Sequence, residues 1–107
     1  ALSLDSNTTG SNNTAIGYVA LGGNTTASNN TAVGYNVASA TTTGQYNVAM
    51  GGNDSGSQAT FAANTTGSQN IAIGMAALRN NTTASENIAV GFQAGFQHNC
   101  WGQHSRW

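Results

Sequence analysis

The polar and hydrophobic residues of this chain follow a repeating pattern. A phrase of the form Asn-x-Ala-(Ile/Val/Met)-Gly recurs, and its closing glycines are 17 residues apart except for one interval of 23. Repetition at a fixed period is the sequence signature of a repeat architecture. The positions that never vary within the phrase are Asn13, Asn30, Asn47, Asn70 and Asn87; Ala15, Ala32, Ala49, Ala72 and Ala89; and Gly17, Gly34, Gly51, Gly74 and Gly91.

The residues around each alanine favour β-strands. Ile, Val or Met stands immediately before the glycine, and Thr, Val or Ile stands three residues before it. Most of these are β-branched, whereas Asn, Thr and Gly are poor helix formers. We therefore predict an all-β fold, a parallel β-roll or β-solenoid of about five 17-residue coils. Each coil is expected to hold two short strands and two turns, stacked about 4.8 Å apart.

The alternation of side chains along the strand predicts an assembly. Thr31, Val33 and Tyr35 point to one face of the strand, and Ala32 and Gly34 point to the other. A strand with no charge on either face is normally buried on both, but a narrow solenoid has only one interior. We therefore expect the alanine and glycine face to pack against sister chains in a homotrimer.

The recurring asparagines and threonines are expected to be structural. A column of stacked amides can hydrogen-bond along a β-stack. Glycosylation at Asn24-Thr25-Thr26 or Asn64-Thr65-Thr66 is a weaker interpretation, because the Asn-x-Thr motif follows from the repeat itself. The threonine pairs are Thr8/Thr9, Thr25/Thr26, Thr42/Thr43, Thr65/Thr66 and Thr82/Thr83.

Charge is scarce in this chain of 107 residues. Charged residues make up 5% of it, and only Arg79 and Arg106 are positive. This composition removes the electrostatic basis for binding nucleic acid or an anionic membrane surface. No apolar stretch approaches the roughly 20 residues that cross a bilayer, so membrane insertion is not expected. The single cysteine, Cys100, cannot form an internal disulfide.

The repeats offer no constellation for catalysis. Asp5, Asp54, Glu86 and Arg79 are scattered over different repeats, and no histidine occurs within the repeats to activate a serine. The glycines do not form a phosphate-binding loop, and the chain has no lysine. We expect no enzyme, no cofactor and no metal site.

The long interval between Gly51 and Gly74 predicts an insertion. We place it at residues 52–59, which read Gly-Asn-Asp-Ser-Gly-Ser-Gln-Ala. Loops inserted in a repeat scaffold often carry binding, although simple tolerance of the extra residues explains the insertion equally well. The binding interpretation assigns ligand contact to Asn53, Asp54, Ser55 and Ser57.

The residues that follow the glycines form a second candidate surface. Tyr18, Tyr35, Met75 and Phe92 occupy equivalent positions and are predicted to form an apolar column. Packing in the core is the favoured interpretation. Exposed aromatic rings would instead offer a surface for stacking sugars.

Three stretches of the chain resemble a known family. The phrases NNTAIGYVALGGNTTAS, NNTAVGYNVASATTTGQ and ENIAVGFQAG are similar to repeats in the head domains of trimeric autotransporter adhesins and in bacteriophage tail fibres. The resemblance covers roughly residues 7–96. It implies a trimeric, left-handed parallel β-roll that projects from a surface and binds a receptor or matrix. The chain shows no stalk or anchor of that family, so we expect a fragment or detached module.

The last residues of the chain depart from the repeat. Residues 1–96 hold the repeats, whereas residues 97–107 hold the only cysteine, both histidines and both tryptophans. One set of codons for this tail, read one base later, gives Asn-Thr-Thr-Ala-Gly-Asp-Asn-Thr-Val-Ala and the start of a glycine codon. We hypothesise that the tail is a frameshifted sixth coil. His98, Cys100 and His104 are then accidental rather than metal ligands, and Trp101 and Trp107 serve at most as an end cap.

These observations favour a structural and binding module. The expected function is a trimeric fibre or adhesin head, extracellular on a bacterial cell surface or a phage virion. Its expected partners are itself and a cell-surface glycan or protein. One alternative is an ice-binding β-solenoid, although adjacent threonines in a strand point to opposite faces. A passive fibre spacer is the other alternative.

Overall fold

The computed structural model describes residues 3–52 and 59–95. Five short strands form one parallel sheet in chain order, and the chain makes one turn between successive strands, giving a β-solenoid of about four turns. This confirms the prediction of an all-β, parallel solenoid. The strands are β1 (Thr14–Ile16), β2 (Thr31–Tyr35), β3 (Val48–Gly52), β4 (Ile71–Ile73) and β5 (Ile88–Val90).

The register of the sheet follows the sequence repeat. Each repeated alanine pairs with the alanine of the next strand, as in Ala15 with Ala32 and Ala72 with Ala89. The interval between Gly51 and Gly74 does not disturb this register, because Ala49 pairs with Ala72 in the same way. Strand pairing therefore matches identical positions of the repeat from one end of the described sheet to the other.

Within residues 3–52 and 59–95, each turn of the solenoid contains one strand, not the two that were predicted. The rest of the turn bends sharply at residues with positive φ, a conformation that costs non-glycine residues energy and ends a strand. Backbone hydrogen bonds between turns continue through these bends, as from Thr8 N to Thr25 O (2.9 Å). The recurring bend positions hold Asn12, Asn29, Tyr46, Gln69 and Glu86; Val19, Asn36, Ala76 and Gln93; and Leu4, Leu21, Ala38, Phe61 and Leu78.

The repeated alanines point into the interior of the solenoid. Ala32, Ala49, Ala72 and Ala89 are all 0% exposed within the single chain. They pack in one cluster with larger side chains from the opposite wall, which include Leu21, Val37, Phe61 and Leu78. The expectation that the alanine face meets sister chains is therefore wrong. The interior is narrow, so only a side chain as small as alanine fits between the strand and the opposite wall.

The repeated glycines also serve contacts within the chain. Gly34 has a φ of +131°, and a Cβ placed on it would collide with the carbonyl oxygen of Gly51 in the next turn. Gly17 and Gly74 have similar φ values, and a Cβ on either would also come too close to the glycine one turn later. Glycine is required here because the backbones of successive turns approach each other at a positive φ. Close packing between separate chains is not needed to explain these residues.

The asparagine four residues before each glycine connects the turns. The Asn13 Oδ1 atom accepts the N–H of Asn30 at 3.0 Å, and Asn30 Oδ1 accepts the N–H of Asn47 at 2.8 Å. The same bond joins Asn47 to Asn70 and Asn70 to Asn87, each at 2.9 Å. These amides are buried from Asn30 onward, so the column supplies the partners that buried polar groups need.

A second asparagine column precedes the threonine pairs. Asn24 Nδ2 donates to Asn7 Oδ1 at 2.7 Å, and Asn81 Nδ2 donates to Asn64 Oδ1 at 2.9 Å. Thr41 interrupts this column, and its hydroxyl only accepts a long bond from Asn64 Nδ2, at 3.4 Å. As a result, the Asn24 Oδ1 atom is buried without a hydrogen-bond partner. Asn24 and Asn64 are 0% exposed, so they are not glycosylation acceptors in the folded chain.

Replacing Thr41 with asparagine is expected to stabilise the fold. An amide at this position would donate to Asn24 Oδ1, and leaving a buried acceptor unpaired costs about 1–3 kcal/mol. Thermal or denaturant unfolding of Thr41→Asn should show a gain of about 1 kcal/mol or more. The control is Thr43→Asn at an exposed position, which should stay within about 0.5 kcal/mol of the parent. Equal stabilities of the two variants would contradict the role assigned to this column.

Candidate functional site: the exposed sheet face and the insertion

The described residues on either side of the predicted insertion are Gly52, at the end of β3, and Ala59. The repeat register breaks after Gly52 and resumes at Ala59, which occupies the position of Asn36 and Ala76 in the neighbouring turns. The predicted ligand-contacting residues Asn53, Asp54, Ser55 and Ser57 fall outside the described residues. The tail at residues 97–107, with His98, Cys100, Trp101, His104 and Trp107, lies outside them as well.

Thr60 joins the two ends of the insertion. Its hydroxyl accepts the N–H of Gly52 at 2.9 Å and donates to the carbonyl oxygen of Gly74 at 2.6 Å. The equivalent position holds Ala20, Val37, Ala77 or Ala94 in the other turns, none of which has a side-chain hydrogen-bonding group. Sequence reasoning missed Thr60, although a lone hydroxyl at an otherwise apolar repeat position is a readable signal. The Thr60 hydroxyl thus links the described residues on the two sides of the six extra ones.

The large side chains of the sheet point outward. Ile16 is 60% exposed, and Ile88, Val90 and Met50 are also exposed, with no charged residue in these columns. The face opposite the buried alanines is therefore a regular apolar surface in the single chain. Its two columns contain Thr14, Thr31, Val48, Ile71 and Ile88, and Ile16, Val33, Met50, Ile73 and Val90.

The aromatic residues that follow the glycines extend this surface. Tyr18 and Tyr35 are 47% and 40% exposed, and their rings stack with centroids 5.1 Å apart and an interplanar angle of 17°. Phe92 is exposed and Met75 is half-buried. The prediction that this column packs in the core is wrong for the single chain, because the interior is already filled by alanines, asparagines and leucines. Gly52 occupies the column at β3 with a φ of +83°.

The two threonines of each pair have different environments. The first one donates its hydroxyl to the carbonyl of the next turn, as from Thr8 to Thr25 (3.0 Å) and from Thr65 to Thr82 (3.1 Å). The second one is exposed in every turn. The second threonines of the pairs therefore form one exposed column along the solenoid. The exposed threonines are Thr9, Thr26, Thr43, Thr66 and Thr83.

The described part of the chain offers little for chemistry. Within residues 3–52 and 59–95, no three or more His, Cys, Asp or Glu residues are placed to hold a metal ion. The same residues contain no helix of the length and apolar character that a bilayer crossing demands. Asp5 precedes β1, whereas Arg79 and Glu86 both lie between β4 and β5. The features that the structure does present are an apolar surface, a stacked tyrosine pair and an anchored insertion.

Comparison with known proteins adds no relative. No protein-family profile, no curated protein and no solved structure matches the chain.

Removing the Thr60 hydroxyl is expected to loosen the base of the insertion. Thr60→Val keeps the shape of the side chain but leaves the N–H of Gly52 and the carbonyl of Gly74 without this partner. A hydrogen bond of this kind contributes about 0.5–1.5 kcal/mol, so the loss should be about 1–3 kcal/mol in the free energy of unfolding. Thr60→Ser keeps the hydroxyl and should retain most of the free energy of unfolding that Thr60→Val loses. Equal stability of the valine and serine variants would show that the hydroxyl does not anchor the insertion.

Proposed function

We propose that this protein is a trimeric fibre segment or adhesin head that binds a ligand on a cell surface. The observation that carries the proposal is the exposed apolar sheet face, which runs along the full length of the described solenoid. Contiguous apolar surface of this kind marks an interaction site on a protein. The resemblance of the repeats to adhesin heads and tail fibres supplies the threefold symmetry and the setting on a bacterial cell surface or a virion.

The energetics of the sheet face support association of several copies. Burying a Val, Ile, Phe or Met side chain fully contributes about 1.5–3 kcal/mol, and the side chains of this face are about half exposed. Eight large apolar residues with substantial exposure lie on or beside it: Ile16, Tyr18, Tyr35, Met50, Ile71, Ile88, Val90 and Phe92. Their combined burial is comparable to the ~4–15 kcal/mol that association costs. The absence of charge in the strand columns removes the desolvation penalty that would oppose packing.

The molar mass in solution tests the assembly. At micromolar concentration, light scattering should give three times the chain mass of 10.8 kDa. Ile71→Asp should shift the mass to that of the single chain, because a carboxylate in the centre of the face cannot be desolvated without a partner. The matched control is Thr66→Asp, in the same turn but in the exposed threonine file, and it should leave the mass unchanged. A folded parent of single-chain mass at this concentration would contradict the assembly.

Binding to cells tests the second half of the proposal. The fluorescently labelled protein is expected to bind bacterial or host cells, and excess unlabelled protein should compete for the sites. If binding is multivalent, Ile71→Asp should weaken it by 10²-fold or more, as expected when linked sites are separated. Uniformly absent binding over a panel of cells and a glycan array, with the trimer intact, would favour the passive spacer instead.

A further inference from the structure

The described part of the solenoid contains an unused hydrogen-bond acceptor near β5. Asn81 is 0% exposed, and its Oδ1 atom has no hydrogen-bond partner. Its Nδ2 atom is fully used, because it donates to Asn64 Oδ1 at 2.9 Å and to the carbonyl of Ala84 at 3.1 Å. A buried amide oxygen without a donor is costly, so its partner is worth identifying.

The rest of the column shows which donor is missing. Where the next repeat has asparagine, its Nδ2 donates back to the preceding Oδ1, as Asn24 does to Asn7 at 2.7 Å. Where the next repeat has Thr41 instead, the preceding oxygen, Asn24 Oδ1, has no partner. The two unpaired oxygens therefore follow one rule. The missing donor for Asn81 is an asparagine 17 residues later, at the position where the chain has His98.

Other hydrogen-bonding groups in and next to β5 occupy repeat positions that, in the earlier turns, bond to the next turn. Between β4 and β5, Asn70 Oδ1 accepts the N–H of Asn87 (2.9 Å) and Ile71 donates its N–H to Asn87 O (2.9 Å). Ile73 O likewise accepts the N–H of Gly91 at 2.8 Å. In a parallel sheet, the groups at the same repeat positions of β5 point away from β4, toward a next strand. They are Asn87 Oδ1, Ile88 N and Val90 O.

The genetic code allows the required sequence in another reading frame. Read one base later, the codons of residues 97–107 restrict most positions to two outcomes, such as Asn or Ser, Ile or Thr, and Val or Ala. If Ser105 is encoded by AGC and Arg106 by CGT, the shifted frame can read Asn-Thr-Thr-Ala-Gly-Asp-Asn-Thr-Ala-Val-Gly. Its last five residues are identical to Asn30-Thr31-Ala32-Val33-Gly34. The shifted sequence thus places small alanine at the interior position and valine on the outer face, as β2 does.

From these observations we propose that the surface of the solenoid beyond β5 is an interface for a further turn of the same repeat. An asparagine of that turn donates its Nδ2 hydrogen to Asn81 Oδ1, and its strand pairs with β5 in the register Ile88-Ala89-Val90 against Thr-Ala-Val. The shifted frame of codons 97–107 encodes this turn. The proposal does not depend on trimer formation or on ligand binding.

A chain carrying the shifted sequence tests the interface directly. Residues 98–107 are replaced by Asn-Thr-Thr-Ala-Gly-Asp-Asn-Thr-Ala-Val with a glycine appended, and a control carries the same residues in scrambled order. With the repeat sequence, amide hydrogen exchange at Thr83 and Ile88 should slow at least tenfold relative to the scrambled control. The unfolding midpoint should rise by about 5 °C, the shift that a single added hydrogen bond produces in a domain of this size. Exchange at the same rate in both chains would overturn the proposal.

Two further results decide the details. In the Asn81→Ala background, the difference in unfolding midpoint between the repeat sequence and the scrambled sequence should shrink, because the acceptor is gone. A difference as large as in the parent would refute the role of Asn81. Sequencing of the gene should reveal codons that read as the repeat in the shifted frame. If the shifted frame cannot encode asparagine at its first and seventh positions, the proposal that codons 97–107 encode a further turn is refuted.

Discussion

The hydrogen-bonded asparagine columns are the constraint on which the solenoid depends. Each turn buries polar amides, and most of these amides find a hydrogen-bond partner one turn away. The bond from Asn47 N to Asn30 Oδ1, at 2.8 Å, is typical of this arrangement. A buried polar group that loses its partner costs more than the bond itself contributes. The repeat is therefore kept in register by its polar residues, and the alanines only have to fill the remaining space.

The register of the sheet could be predicted from the sequence, but the side that faces inward could not. Equal spacing of Gly17, Gly34 and Gly51 determines which strands pair and which residues lie opposite each other. Alternation then yields two faces, and both are uncharged. The interior became the alanine side because bends at residues such as Leu21 and Asn29, with φ of 52° and 64°, hold the opposite wall close to the strand. Leucine rarely adopts a positive φ, so the sequence contains no signal for the bend at Leu21, whereas asparagine tolerates this conformation.

In the candidate site as well, some features could be predicted from the sequence and others could not. The insertion at residues 52–59 was predicted from the interval between Gly51 and Gly74, and the described residues on either side of it are Gly52 and Ala59. The role of Thr60 depends on a carbonyl of the following turn, Gly74 O at 2.6 Å, and contacts between turns are set by the fold and not by local sequence. Repetition reveals which positions are equivalent. A residue that departs from the repeat, such as Thr60 or Thr41, then shows where the hydrogen bonding of one turn differs from that of the others.

The inward alanines also change how assembly relates to folding. If the alanine face had needed sister chains, the strand would have lost its core on dissociation, and folding and association would have been one event. Ala32, Ala49 and Ala72 are instead buried completely within one chain. The proposed association through the outward face of Ile and Val would add burial to a core that is already closed, so it would depend on protein concentration separately from folding. A charge on that face would therefore act on the proposed assembly, whereas a change in the asparagine columns would act on the fold of each chain.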